Sequence, residues 1–399
     1  MPTLARTFRD AGYQTCAVGK LHVSPQRDRI GFDDVILNEE GRCRSHGFAD
    51  DYELYLSAQG YPGQEFASGM CNNDYMTRTW HLPEHCHPTN WTAATMCRMI
   101  HRRDPRKPAF WYMSFSAPHP PLWPLRAYMD LYRKVTIDEP VVGDWAVDTQ
   151  RMPWLLRQRL HRYSISDATP HEVDLARRAF YALITHIDHQ IRVVIGLMRE
   201  EGLIDDTIIA FTSDHGDMLG DHRQWAKGLM YERSAKVPLV VVPAAKDDRV
   251  EPGATDDRLA ELRDVMPTLL DLAGIGIPDA VEGWSLIRGE RRPFLYGEIY
   301  ENEPATRMIR DERFKLIYYP VGNHCQLFDI ETDPREMHDL AGDVKHAGDL
   351  ARLQEILIDH MYGSDEAYVR GGNLVGIADR PVTHESSRGL HGQRGLRFI

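Results

Sequence analysis

The stretch Thr207-Ile-Ile-Ala-Phe-Thr212-Ser-Asp214-His215-Gly-Asp217 joins a β-branched, apolar run to a cluster of polar and charged side chains. A short apolar run of this kind is typical of a strand buried in a sheet. The long amphipathic pattern of His171–Glu201 precedes it, and Gly202 suits the end of that helix. This order of helix, strand and polar loop predicts an α/β fold, with helices on both faces of a mostly parallel sheet.

Two other segments repeat the arrangement of a strand followed by a polar loop. Tyr13–Val18 runs into Lys20 and His22, and Ala109–Phe115 runs into a proline-rich loop that contains His119. Because the carboxyl ends of parallel strands meet at one edge of a sheet, and ligands bind at that edge, we expect the three loops to converge there. A further buried strand is predicted at residues 237–242.

The pattern changes after about residue 290. Short strands separated by turn residues follow at Phe294–Ile299, Thr306–Arg310, Arg313–Tyr319 and Gln326–Asp329, and a helix at Ala347–Tyr362. Short strands at such spacing predict a small antiparallel sheet. We therefore expect a main domain over residues 1–290, a C-terminal α/β subdomain over residues 291–362, and an extended tail over residues 363–399.

Composition excludes several classes of protein. The 399 residues carry 47 lysines and arginines against 59 aspartates and glutamates, a net charge of −12, which argues against a nucleic-acid partner. No apolar run approaches the ~18–20 residues that span a bilayer, so no membrane partner is predicted. The absence of a secretory signal predicts a cytoplasmic location for the sequence as given. The six cysteines form no CxxC pair and are expected to be free thiols.

The polar loops suggest a particular chemistry. Asp214 and His215 offer a carboxylate oxygen and an imidazole nitrogen, which suit part of a divalent-metal shell. Four further side chains would supply positive charge and hydrogen-bond donors to a tetrahedral oxyanion: Lys20, His22, His119 and Lys227. Each residue alone has a common structural explanation, as a turn, a solvated surface lysine or a packed loop residue. Their joint placement after buried strands favours metal-assisted hydrolysis of a sulfate or phosphate ester in a locally cationic pocket.

Other motifs are weaker or missing. The cluster His81, Glu84, His85 and His87 resembles a zinc site only in composition, and its spacing favours a loop that faces the substrate or is merely polar. The histidines of the long helix, His186 and His189, are expected to pack. Because the sequence contains no GxSxG, HExxH, P-loop or GxGxxG motif, serine hydrolases, zinc proteases, P-loop NTPases and classical dinucleotide enzymes are disfavoured.

The same residues carry a resemblance to a known family. The segment Ala11-Gly-Tyr-Gln-Thr-Cys-Ala-Val-Gly-Lys20-Leu-His22 resembles the second signature of the sulfatases, and the Phe115–Pro121 loop resembles their sulfate-contacting histidine loop. The segment that ends in Asp214 and His215 resembles the metal-binding segment of that family. The surroundings of Lys227 match its active-site lysine region. The resemblance extends from about residue 3 to about residue 360.

The resemblance implies an alkaline-phosphatase-like fold, a divalent metal that is usually calcium, and hydrolysis of a small-molecule or carbohydrate sulfate ester. It makes Asp214 and His215 metal ligands. It gives Lys20, His119 and Lys227 the tasks of holding the sulfate and assisting the leaving oxygen. It also implies that His22 accepts a proton from the hydrate of formylglycine, the oxidised cysteine or serine that serves as nucleophile in this family.

The sequence departs from the family at that nucleophile. It contains no C/S-x-P-x-R motif, and the surroundings of Cys16 and Cys43 do not fit one. We therefore expect a member truncated at its N-terminus, without the first strand or the nucleophile, and inactive as given, with formylglycine only in a full-length form. A phosphonate monoester or phosphodiester hydrolase of the same superfamily and a non-catalytic anion-binding remnant remain alternatives. The sequence does not specify the oligomeric state.

Overall fold

The computed structural model describes residues 2–41, 48–160, 162, 165 and 167–382, so Cys43 and the last part of the predicted tail lie outside it. The α-helices of these residues are α1 (Leu4–Asp10), α2 (Asp51–Ala58), α3 (Pro88–His101), α4 (Arg126–Leu131), α5 (Trp154–Arg159), α6 (Pro170–Glu200), α7 (Glu232–Ala235), α8 (Val265–Leu272) and α9 (Ala347–Asp359). The strands are β1 (Gln14–Gly19), β2 (Asp34–Leu37), β3 (Ala109–Ser114), β4 (Ile209–Thr212), β5 (Leu239–Val242), β6 (Leu295–Ile299), β7 (Thr306–Arg310), β8 (Phe314–Tyr319), β9 (His324–Asp329), β10 (Val369–Arg370) and β11 (Asn373–Leu374).

The central sheet has the order β2-β1-β3, and β1 is parallel to both neighbours. Side chains of β1 alternate between two apolar layers, as the pleat of a strand requires. Val18 packs with Met96 of α3 and Val194 of α6 on one face, whereas Ala17 packs with residues of α1 and β2 on the other. Helices therefore cover both faces of this sheet, as predicted.

The long helix α6 agrees closely with its predicted bounds and begins in a capping box. The Thr169 hydroxyl accepts from the backbone N–H of Glu172, and the Glu172 carboxylate accepts from the backbone N–H of Thr169. Such reciprocal bonds satisfy amides that have no partner within the helix. The helix packs along α3 and holds the layer behind β1 in place.

The segment around the Asp214 loop differs from the prediction of buried strands in a parallel sheet. β4 and β5 form an antiparallel pair, in which Phe211 lies opposite Val240. The side chains of Phe211, Val240 and Val242 are 43%, 52% and 49% exposed. The opposite face of the pair, with Ala210 and Val241, lies against α8 across a cavity of about 10 Å³. The apolar side chains are therefore partly buried on one face only, because helix α8 covers one side of the pair.

The C-terminal part contains the expected antiparallel sheet, in the order β6-β7-β8-β9, with α9 packed against it. Lys315 of β8 is 1% exposed, and its ammonium lies 2.6 Å from Glu232 and 2.8 Å from Glu336. These ion pairs connect the sheet to α7. Residues 363–374 are not extended as predicted for the tail. They form a 3₁₀ turn and the β10–β11 pair, because Tyr368 and Leu374 pack against the apolar layer beneath the sheet.

Within the described ranges, no helix combines the length and the apolar character needed to cross a membrane. The cysteines in those ranges are free thiols, as expected: Cys16, Cys71, Cys86, Cys97 and Cys325.

Candidate functional site

The predicted loops leave the strands at one edge of the fold. Lys20 directly follows β1, and its backbone N–H donates to the carbonyl of Ser114 at the end of β3. His119 lies five residues beyond β3, in a loop that is rich in proline. Asp214 lies two residues beyond β4. The strand ends therefore determine where these side chains lie, as expected for ligand sites in open α/β sheets.

The structure brings five of the six predicted side chains together. The Lys20 ammonium lies 3.6 Å from Asp214 Oδ2, and Lys227 Nζ lies 2.6 Å from His119 Nε2. The imidazole rings of His119 and His215 are 6.3 Å apart between centroids. These groups come from loops separated by up to about 200 residues of sequence, so the fold itself has assembled them.

Two buried carboxylates that sequence reasoning did not identify lie among these groups. Glu40 Oε2 is 3.8 Å from Lys20 Nζ, and Glu40 Oε1 is 3.3 Å from His119 Nδ1. Glu39 lies beside it and is also buried. Both follow β2, a strand of four residues inside the polar stretch 23–90. Because these carboxylates offset the lysines, the pocket has a mixed charge pattern and is not the cationic pocket that was predicted.

His22 joins the group through Glu39. Glu39 Oε2 lies 3.5 Å from His22 Nδ1, and Glu39 Oε1 accepts from the backbone N–H groups of His22 and Leu21. Burial by itself raises the pKa of Glu39, but these hydrogen bonds outweigh it and hold the pKa below its usual range. Glu39 is thus a carboxylate that holds the loop after β1, where His22 has a left-handed backbone at φ 58°.

Asp214 and His215 are suitably arranged for two ligands of a divalent cation. Asp214 Oδ2 and His215 Nε2 lie 3.5 Å apart, and His215 Nδ1 lies 2.8 Å from the carbonyl of Gly216. A carbonyl acceptor at Nδ1 requires the proton there, which leaves the Nε2 lone pair for a metal. Burial lowers the pKa of His215, so its imidazole is neutral at neutral pH. Burial raises the pKa of Asp214, but Lys20 and His215 bring it below its usual range.

Two ligands are only part of a metal shell. In the part of the chain that the structure describes, no group of three or more His, Cys, Asp or Glu side chains is placed to hold a metal ion. Asp217, which follows directly, accepts a hydrogen bond from Tyr75, and burial raises its pKa. The residues present therefore fit part of such a site, and the remaining ligands are not among them.

Cys16 lies in β1 and does not have the character of a nucleophile. Its side chain is buried, and burial together with Asp34 and Asp33 raises the pKa of the thiol to about 12. A reactive cysteine needs the opposite shift, toward the thiolate.

Four other histidines that the sequence singles out make structural contacts, and His87 caps a helix instead of lying in a polar loop. His87 is fully buried and accepts from the backbone N–H of Thr89 at the start of α3, and His81 contacts the carbonyl of Gln64. His186 of α6 is buried and stacks on Tyr128 at a centroid distance of 4.5 Å, while His189 Nδ1 lies 3.2 Å from the hydroxyl of the same tyrosine. None of these four residues belongs to the group around His119.

Comparison with known proteins identifies the family. The sulfatase family model matches residues 1–275, and the model of the C-terminal region of N-sulphoglucosamine sulphohydrolase matches residues 220–362. An arylsulfatase of Clostridium perfringens is 35% identical over 399 aligned residues, covering 94% of this chain and 80% of the relative.

Solved structures agree in fold. The phosphonate monoester hydrolase of Agrobacterium radiobacter has a TM-score of 0.75 at 22% identity, over 95% of this chain and 84% of that one. A protein solved with its substrate D-glucosamine-2-N,6-O-disulfate has a TM-score of 0.66 at 22% identity, over 90% and 81% of the two chains. The fold is thus alkaline-phosphatase-like, and the family generally uses a divalent metal and formylglycine. The chain belongs to the sulfatase family of sulfuric ester hydrolases.

Proposed function

We propose that the residues around His119 form the sulfate-binding and leaving-group side of a site that hydrolyses a sulfate monoester. The observation that carries this proposal is the contact of His119 with Lys227, with the Lys20 ammonium near the other oxygen of the Glu40 carboxylate that faces His119. Lys20 and Lys227 are donors for the sulfate oxygens. His119 and Lys227 hold a proton beside the position of the leaving oxygen, which suits general acid catalysis.

The nucleophile is proposed to lie outside these 399 residues. The sequence contains no C/S-x-P-x-R motif, and Cys16 is an inert thiol. The domain proposal follows from this: residues 1–290 form a catalytic domain without its first strand and nucleophile segment, and residues 291–362 form the C-terminal subdomain. Metal and anion binding do not replace a nucleophile, so we expect no normal turnover by the chain as given.

The metal is proposed to be calcium. Asp214 and His215 would hold it together with ligands from outside the chain, and a bound cation would supply charge that neutralises sulfate oxygens. His22 is proposed to accept a proton from the hydrate of the formylglycine nucleophile, since its side chain is 46% exposed and is oriented by Glu39.

The test begins with the DNA upstream of codon 1. Read in frame, it is expected to encode a strand with acidic residues and a C/S-x-P-x-R segment, whereas a stop codon directly upstream would contradict the proposal. The extended protein, produced with conversion of its cysteine or serine to formylglycine, is then assayed on 4-nitrophenyl sulfate. The extended protein should turn over, and the 399-residue chain should not. Changing His119→Gln in the extended protein should lower kcat by about 10²–10⁴-fold.

A phosphonate monoester or phosphodiester hydrolase is the second candidate. The structural match to the phosphonate monoester hydrolase has the higher TM-score of the two structures compared above, 0.75 against 0.66. The same extended protein is assayed on an aryl sulfate and on a phosphonate monoester of the same phenol. A much higher kcat/KM on the phosphonate would favour this candidate, whereas the sulfate should be preferred under the main proposal.

A further inference from the structure

Two consecutive carboxylates approach two different histidines of the site. Glu39 contacts the His22 ring and the backbone of its loop, whereas Glu40 contacts the ring of His119. The divergence arises in the backbone, because Glu40 has a left-handed conformation at φ 53°. Left-handed backbone is uncommon for a residue with a Cβ and persists where surrounding contacts stabilise it.

The contacts that stabilise this turn come from three parts of the fold. The backbone N–H of Asn38 donates to the carbonyl of Gly19, which continues the β1–β2 pairing. The backbone N–H of Glu39 donates to Asp50 Oδ2 at the start of α2. Asn72 Nδ2 donates to the carbonyl of Glu40 at 3.1 Å. The carboxylate of Glu40 is therefore held at a fixed place, and its side chain is 6% exposed.

The contacts of His119 determine where its protons lie. Nδ1 faces two acceptors, the carbonyl of Pro120 at 2.8 Å and Glu40 Oε1 at 3.3 Å, so Nδ1 carries hydrogen. Nε2 lies 2.6 Å from Lys227 Nζ. An ammonium is only a donor, and two protonated nitrogens at this distance would repel, so Nε2 and Nζ share one proton.

We propose that Glu40 is a positioning residue of this site, which holds the His119 imidazole with Nδ1 protonated and Nε2 directed at Lys227. This inference rests on the proposed function, in which His119 and Lys227 bind the sulfate group. The second oxygen of Glu40 lies 3.8 Å from Lys20 Nζ, so the same carboxylate is in ionic contact with a side chain from a second strand end. A carboxylate behind a histidine fixes its tautomer in the same way in other enzyme sites.

The sign of the effect on sulfate binding makes the inference testable. Glu40 is a negative charge beside a site for an anion, so Coulomb repulsion alone predicts that Glu40→Gln and Glu40→Ala strengthen sulfate binding to the same extent. A positioning role predicts weaker sulfate binding by both variants. Glu40→Ala should weaken sulfate binding roughly tenfold, because a charged hydrogen-bond partner is lost. Glu40→Gln should fall between that variant and the unchanged protein, because its amide oxygen still accepts from Nδ1.

The experiment measures sulfate affinity by isothermal titration of the 399-residue chain and its variants. The tautomer of His119 is read from two-bond ¹H–¹⁵N spectra of protein labelled at histidine, with the signal assigned from its absence in His119→Gln. We expect Nδ1–H in the unchanged protein and in Glu40→Gln. In Glu40→Ala we expect a smaller fraction of Nδ1–H, because only the neutral carbonyl of Pro120 then accepts from Nδ1. Asp34→Asn is the matched control, since it removes a negative charge from β2 at a half-exposed side chain paired with Arg29.

The outcomes separate this inference from the proposed function. Tighter sulfate binding by both Glu40 variants, or an unchanged His119 tautomer in Glu40→Ala, would overturn the positioning role. Should Glu40→Ala fail to fold, weaker binding by Glu40→Gln supports the role and tighter binding overturns it. If His119→Gln leaves sulfate affinity unchanged, the proposed function fails, and the tautomer spectra still decide the role of Glu40.

Discussion

The site has an anion side, which consists of Lys20, Glu40, His119 and Lys227, and a proposed metal side, which consists of Asp214 and His215. The two sides differ in how deeply their side chains are buried. On the anion side, the side chains of His119 and Glu40 are 5% and 6% exposed, and Lys227 lies in hydrogen-bond contact with the imidazole. On the metal side, the side chain of Asp214 is 62% exposed. The anion side is thus a buried, mutually oriented set of groups, whereas Asp214, one of the two proposed metal ligands, lies near the surface.

The strands beneath the two sides also differ in how deeply their side chains are buried. Val18 of β1 is 1% exposed between two covering layers, whereas Phe211 of β4 and Val240 of β5 expose a large part of their apolar side chains. Apolar side chains in a sheet are stabilised when a second layer covers them. The two proposed metal ligands and the exposed strand face therefore occur in the same part of the molecule.

The largest expected effect is that each of two substitutions weakens the binding of one ligand and spares the other. Lys227→Met should weaken sulfate binding roughly ten- to a hundredfold, because it removes a charged donor from a buried set, and should leave calcium binding nearly unchanged. Asp214→Asn should abolish calcium binding and leave sulfate binding equal or stronger, because it removes a negative charge. Isothermal titration of both variants, made in the extended protein that is proposed to complete the metal shell, measures this with each ligand.

A different result would break the comparison between the two sides. If Asp214→Asn and Lys227→Met weakened both ligands equally, the groups would form one interdependent site. Lys236→Met serves as the control, because Lys236 is an exposed lysine nine residues further along the chain. Its loss should change neither affinity by more than about twofold, as expected for an exposed pair.

The sequence predicts the anion side well, since its determinants are local. β1 and β3 are largely apolar runs; Lys20 follows β1 directly and His119 follows β3 after a short loop, so the edge rule for parallel sheets brings the two near each other. Glu39 and Glu40 were missed, because β2 has four residues and lies in a long polar stretch. The signal was present in Asp34-Val-Ile-Leu37, a short apolar run followed after one residue by Glu39 and Glu40.

The arrangement beneath the metal side could not be predicted in the same way. Apolar composition identifies β4 and β5 as strands, but it does not state the direction of their pairing or which layer covers each face. Those properties depend on neighbours that are distant in sequence. The exposure of Phe211 and Val240 is therefore a result of the structure alone.

The second prediction concerns stability and compares a valine-to-threonine substitution in β1 with the same substitution in β5. Val18→Thr places a hydroxyl in an apolar layer and should lower the free energy of unfolding by about 1–3 kcal/mol. Val240→Thr should change it by less than about 0.5 kcal/mol, because this side chain is exposed and both residues are β-branched. Urea unfolding of the two variants measures the difference. Equal losses would show that the face of β4 and β5 is covered in solution.

The smallest expected effect is on the pH dependence of stability, and it also separates a buried from an exposed carboxylate. The folded pKa of Glu39 lies below its unfolded value, so its carboxylate stabilises the fold at every pH above the unfolded value of about 4.3. That contribution disappears as the pH falls through the folded pKa. The difference in unfolding free energy between the unchanged protein and Glu39→Gln should thus be constant from pH 7 to about pH 5 and shrink below about pH 4.3. Asp214→Asn should show a weaker trend, because solvent screens this exposed carboxylate. A pH-independent difference for Glu39→Gln would mean that Glu39 holds the His22 loop by shape and not by charge.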